Sequence, residues 1–213
     1  MKRVFIAFAV LTVALISCSP QIYKSNQFDT VAATHKTVAI LPGAVSLMLR
    51  PNEAKKTTPE EIRKNEQTTG YSIQDQLYGW FLRENDRMKY TVTFQDVNKT
   101  NSILKKADIS YEDLRTKSKQ ELAYMLGVDA VISTSLRMEK PMSEGAAIAV
   151  GILVGAWGAT NKANITIDIH EHTGGDLIWK YDYQASGSVF NSPEQLVKAL
   201  MRNASKKFPY NQR

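Results

Sequence analysis

A single cysteine among 213 residues rules out a disulfide framework, which needs an even number of thiols. Histidine is nearly as scarce, at three, and no His-Glu-x-x-His metal motif is present. There is no Gly-x-Ser-x-Gly elbow for a serine nucleophile and no phosphate-cradling glycine loop followed by lysine. Basic residues are scattered, as in Lys55-Lys56, Lys105-Lys106 and Lys206-Lys207, without the aromatic-interleaved stripe of a nucleic-acid reader. The adjacent acids Glu60-Glu61 and Glu112-Asp113 sit at expected helix starts, where the helix dipole accounts for them. No apolar run reaches the roughly twenty residues of a bilayer-crossing helix. These absences predict no catalytic residue, no metal site, no cofactor and no nucleic-acid partner.

The chain does carry a short basic start, Lys2-Arg3, followed by thirteen residues (4–16) interrupted only by Thr12. This has the length of a signal-peptide apolar region. It runs into Leu15-Ile16-Ser17-Cys18, which resembles the lipobox of bacterial lipoproteins. The resemblance implies cleavage before Cys18 and lipidation of that residue, and it gives the lone cysteine its purpose. A thiol nucleophile is thereby excluded. Three acyl chains exceed the two signals that stable anchoring requires, so the mature protein is expected to stay on its membrane. Residue 19 is serine, not aspartate, and no acidic cluster follows Cys18. By resemblance to known lipoprotein sorting, this implies the outer membrane, facing the periplasm. Residues 1–17 are then the signal peptide, and residues 18–36, polar and aperiodic, a lipidated tether. Residues 37–210 form one domain. Loss of Lys2 and Arg3 leaves 25 basic and 21 acidic residues in a 196-residue mature chain, a net charge of +4, enough for solubility.

Within the domain, residues 37–41 form a β-branched run stopped by Pro42-Gly43, a buried strand, and residues 45–56 read as a loop. Thr58-Pro59-Glu60-Glu61 has a cap, a first-turn proline and first-turn acids. It opens a helical pattern through Ile73, Leu77, Tyr78, Phe81 and Leu82 that Gly70 could divide in two. Residues 90–94 alternate as a strand, and residues 98–107 and 118–126 read as helices, the second ended by Gly127. Residues 128–136 are a third strand. Residues 163–172 and 177–186 form a hairpin about Thr173-Gly174-Gly175-Asp176. Ser192-Pro193-Glu194 opens a last helix with the stripe Leu196, Val197, Leu200 and Met201. The order predicts an α/β fold: a mixed sheet packed by helices, ending in an antiparallel hairpin and a final helix.

Three of these pieces carry a resemblance. They are the strand Val38-Ala39-Ile40-Leu41-Pro42, the passage from Leu122-Ala123-Tyr124-Met125-Leu126 through Gly127-Val128-Asp129 to Ala130-Val131-Ile132, and the hairpin ending in Leu177-Ile178-Trp179. Together, over most of residues 37–208, they resemble the domain shared by the TolB amino-terminal region and CsgG-type export lipoproteins. The resemblance implies a non-enzymatic envelope lipoprotein, an accessory or assembly subunit of an outer-membrane transport or export system. Its partners would be the membrane, through the lipid, and other envelope proteins. A CsgG-type oligomeric secretion channel is the alternative.

Residues 145–160 form a Gly/Ala-rich stretch of sixteen residues without a charge, between Glu144 and Lys162. Three readings fit it: a buried loop or helix, a homo-oligomer contact through the small pair Gly151 and Gly155, or contact with the bilayer. Gly151, Ile152, Leu153, Val154, Gly155 and Trp157 are the expected contact residues. A sixteen-residue helix spans about 24 Å, short of a roughly 30 Å hydrocarbon core, so full spanning is disfavoured. Asp168, His170 and His172 alternate on one strand face. They are the only pattern that could suggest a metal-dependent hydrolase, and a solvated strand end explains them more simply.

Overall fold

The computed structural model describes residues 21–49, 51, 55, 57–139, 162–186 and 193–212. Cys18 and the residues from Gly151 to Trp157 named above lie outside these. The described elements, in order, are β1 (Gln21–Lys24), α1 (Phe28–Ala32), β2 (Thr37–Ile40), β3 (Ala44–Met48), α2 (Pro59–Met88), β4 (Thr93–Phe94), α3 (Val97–Lys106), α4 (Asp113–Thr116), α5 (Lys119–Leu126), β5 (Ala130–Glu139), β6 (Lys162–Glu171), β7 (Leu177–Ser186) and α6 (Pro193–Ala204). The strands form one mixed seven-stranded sheet in the order β1-β7-β6-β5-β2-β4, with β3 also on β5. The expected α/β fold, with its antiparallel C-terminal hairpin and final helix, is what the chain adopts. Among the described residues no helix is long and apolar enough to cross a membrane.

Local chemistry explains most boundaries. Thr58 and Glu61 close a capping box, with the Glu61 amide donating to Thr58 Oγ1 at 3.2 Å and the Thr58 amide to Glu61 Oε2 at 2.8 Å. Gly127 ends α5 in the left-handed region, at φ 64°. Gly70 does not divide the helix; α2 runs unbroken for thirty residues. A Cβ at position 70 would lie 2.2 Å from the Gly43 carbonyl oxygen. The glycine therefore serves close approach: the Gly43 amide donates to the Gly70 carbonyl at 2.9 Å, docking α2 onto the sheet.

The stretch expected as a loop after Pro42 contains β3. Strands β2 and β3 lie in one lane beside β5, where Ile40 pairs with Ile132 and Ala44 with Ser135. Four steps on one strand therefore oppose three on the other, a bulge placed at a proline that could not continue the ladder. Beyond it the outward amides of β3 meet side chains. Val45 N–H donates to Tyr111 OH at 3.0 Å and Leu47 N–H to Glu66 Oε1 at 2.9 Å, while Arg115 donates to the Val45 carbonyl.

The expected tether is also corrected, at least from residue 21. β1 pairs antiparallel with β7, from Gln21 opposite Asp182 to Lys24 opposite Trp179. Phe28 of α1 is 2% exposed and packs in the main core. Elements of four and five residues carry little intrinsic signal; pairing with β7 holds β1, and the burial of Phe28 and Ala32 holds α1.

The sheet separates two apolar layers. On one face Ile40, Ile132, Leu136, Ile165, Ile167 and Ile169 pack with residues of α2 and α6; on the other, Ala39, Leu41 and Val131 pack with residues of α3, α4 and α5. β2 and β5 thus bury both faces. β6 buries one, and its alternate residues Asn164, Thr166, Asp168 and His170 are exposed or half-buried.

Candidate functional site

Asp168 and His170 lie on that half-covered face of β6. Asp168 stands opposite Ser133 on β5 and Lys180 on β7. Its Oδ1 and the His170 Nδ1 are enclosed with no hydrogen-bond partner. Burial pushes the Asp168 carboxyl up to about 6, with Lys180 and Lys119 pulling it down and Asp182 pushing it up. Burial, aided by Lys119 and Lys180, holds the His170 imidazole below its ordinary value. The Lys119 ammonium is engaged by the Leu114 carbonyl at 2.7 Å. His172 does not join the other two: its Nδ1 and its backbone amide both face the Asp129 carbonyl, at 3.1 and 3.0 Å. Among the described residues no group of three or more His, Cys, Asp or Glu side chains could hold a metal ion. Asp168 and His170 are partly desolvated side by side, and His172 stands apart from them.

A cavity opens beside β1. It has a volume of about 920 Å³ and lies between α1 on one side and the β6–β7 turn on the other. Its α1 wall is fixed from beneath. The Phe28 ring meets Tyr210 at 6.0 Å between centroids, and His35 Nδ1 meets the Tyr210 hydroxyl at 2.7 Å. Burial raises the Tyr210 hydroxyl far above its ordinary value and lowers that of His35, which Asp129 partly opposes. Lys24 bridges to Asp29 at 2.7 Å, and the Ser25 amide donates to the Ile178 carbonyl at 2.9 Å.

The turn wall is built on Glu171, a nearly buried carboxylate. It accepts the amides of Thr173 at 2.6 Å, Gly174 at 2.5 Å and Asp176 at 3.3 Å. Burial alone would raise its proton affinity, but these three amides outweigh burial and hold it below the usual carboxylate range. Gly175 takes φ 75°, and a Cβ there would meet the Gln120 Cβ at 3.0 Å. Gln120 in turn donates to the Thr173 carbonyl, bracing the turn on α5.

Between these walls several polar groups are unused. The Ser25 hydroxyl is enclosed without a partner, and among the described residues the side chains of Asn26, Gln27 and Thr30 make no hydrogen bond. Tyr23, 49% exposed, also lines the cavity. Glu171 and Asp176 line the cavity and, among the described residues, no lysine or arginine does. The sequence pattern does not announce this site, because half of it comes from residues that read as a tether. The available signal was Phe28 and Val31, an apolar pair three apart in a polar stretch.

No protein-family model matches the chain, and comparison with curated proteins gives no match. Several solved structures are similar to it. One is the lipoprotein GNA1162 from Neisseria meningitidis, 12% identical, covering 81% of this chain and 96% of that one, with a TM-score of 0.46. The PelC dodecamer from Paraburkholderia phytofirmans is 9% identical over 85% of this chain and 89% of that one, with a TM-score of 0.39. The LpoB C-terminal domain from Salmonella enterica is 12% identical over 74% and 90%, with a TM-score of 0.34. At such identities and scores these likenesses assign neither a family nor an activity.

Proposed function

We propose that the chain is a lipid-anchored lipoprotein of the bacterial envelope that works by binding and not by catalysis. It would sit in the outer membrane, face the periplasm and serve as an accessory or assembly subunit of a transport or export system. The observation that carries the reading is the spacing between anchor and fold. The lipobox-like sequence ends at Cys18 and β1 begins at Gln21, inside the sheet. Three extended residues span about 10 Å, so lipidated Cys18 would hold this sheet edge, and the groove beside it, against the membrane surface.

The same arrangement favours binding over chemistry. Asp168, lifted to about 6, is the group best tuned for proton transfer, yet it stands with Ser133, Lys180 and His170 outside the residues that line the groove. The groove holds hydroxyls, amides and two carboxylates, with no histidine, cysteine or lysine among its described lining residues. Mass spectrometry of the amino-terminal peptide from membranes tests the anchor. The expected product starts at Cys18 and carries acyl chains, and the Cys18→Ala variant loses them. An unmodified Cys18 inside an intact, longer amino terminus would contradict the proposal.

A further inference from the structure

We infer that the groove between α1 and the β6–β7 turn binds an uncharged saccharide. Charge decides first. Glu171 is held ionised at the base and Asp176 stands on the rim, with no cation in the lining to offset them. A phosphate or carboxylate entering the groove would meet only like charge. A purely apolar ligand would strand the polar groups, since a desolvated amide or hydroxyl without a partner is costly.

What remains is a ligand rich in hydroxyls, and the unused groups suit one. The Asn26 and Gln27 amides each offer donors and an acceptor on one plane, the pattern that adjacent sugar hydroxyls complete, and Thr30 adds a hydroxyl that can play either role. Ser25, whose Oγ is enclosed and unpartnered, also lines the groove. The exposed Tyr23 ring provides a flat apolar face for the C–H side of a pyranose. The volume of about 920 Å³ falls within the range of small-molecule sites and leaves room for more than one sugar ring. Both walls are held by buried contacts, so little ordering would be needed on binding. The location rests on the anchoring reading: at the membrane surface of an envelope, glycan chains are the hydroxyl-rich molecules within reach.

The test is calorimetric titration of the full-length lipidated protein, in a detergent with no sugar headgroup, with chitotetraose, cellotetraose and tetragalacturonate. Saturable binding of a neutral tetrasaccharide is expected. It should weaken at least ten-fold in Tyr23→Ala and in Asn26→Ala, both solvent-facing positions, with circular dichroism unchanged. Tetragalacturonate should not bind. Failure of both neutral sugars to bind, equal binding of the acidic one, or unchanged affinity in both variants would overturn the inference. Repeating the titration with Cys18→Ala separates the two proposals, because the groove should keep its affinity whether or not the anchor exists.

Discussion

At the β3 edge the outward amides of Val45 and Leu47 are met by the Tyr111 hydroxyl and the Glu66 carboxylate, and Arg115 covers a carbonyl. At the β1 edge, on the far side of the same sheet, no side chain plays that part among the described residues. There the neighbouring polar groups of Ser25, Asn26, Gln27 and Thr30 are left without partners instead. Exposed strand edges invite pairing with other chains, and proteins blunt them in various ways. This molecule spends buried hydrogen bonds on one edge and keeps the other polar, short and open. The difference separates a stability role from a binding role within a single sheet.

The largest effect should come from forcing open the closed edge. Gly70→Ala drives a methyl into the Gly43 carbonyl and the Tyr111 hydroxyl, the latter only 2.7 Å from the added Cβ. A loss of about 3 kcal/mol or more is expected in urea denaturation, and a loss below about 1 kcal/mol would show that α2 does not depend on this approach. Next comes Tyr111→Phe. It removes the hydroxyl that accepts from Val45 N–H and donates to the Gly43 carbonyl at 2.6 Å, leaving both without that partner. A cost of about 1–3 kcal/mol follows.

A smaller effect concerns the floor of the open edge. Burial depresses His35 in the folded state, so its contribution to stability is present above its ordinary value and lost as pH falls through the depressed one. His170, also depressed, acts in the same direction, whereas Asp168, lifted to about 6, acts oppositely over a neighbouring window. The informative quantity is therefore the difference between wild type and His35→Gln. Wild type should lose a few degrees more in melting temperature between pH 7 and pH 5, and parallel curves would remove His35 from the clamp. The smallest effect is Ser25→Ala. Its hydroxyl satisfies nothing in the folded chain, so deletion should change stability by less than about 0.5 kcal/mol or raise it slightly. A loss matching that of Tyr111→Phe would erase the contrast between the edges.

Much of the domain was legible in residues close together in the chain. The Thr58–Glu61 box, the Gly127 cap, the alternation of β6 and the Leu196, Val197, Leu200, Met201 stripe each encode their element locally. What was illegible depends on distant partners. β1 and α1 exist because β7 and Tyr210 receive them, and β3 exists because β5, Glu66 and Tyr111 do. Gly70 reads as a helix breaker until Gly43 is seen against it. The groove inherits this illegibility, since its walls come from both ends of the chain. Its polar residues resemble ordinary solvent-facing ones until the burial of Phe28 fixes them in place.

Amide hydrogen exchange on the full-length protein, with and without chitotetraose, tests the contrast most directly. Slow exchange is expected at Val45 and Leu47 under both conditions. Fast exchange is expected at one or more amides of Gln21–Lys24, with slowing by the saccharide confined to residues of the groove. Equal protection of the two edges in the free protein, or slowing by the saccharide at β3 and not at the groove, would contradict the contrast between the edges.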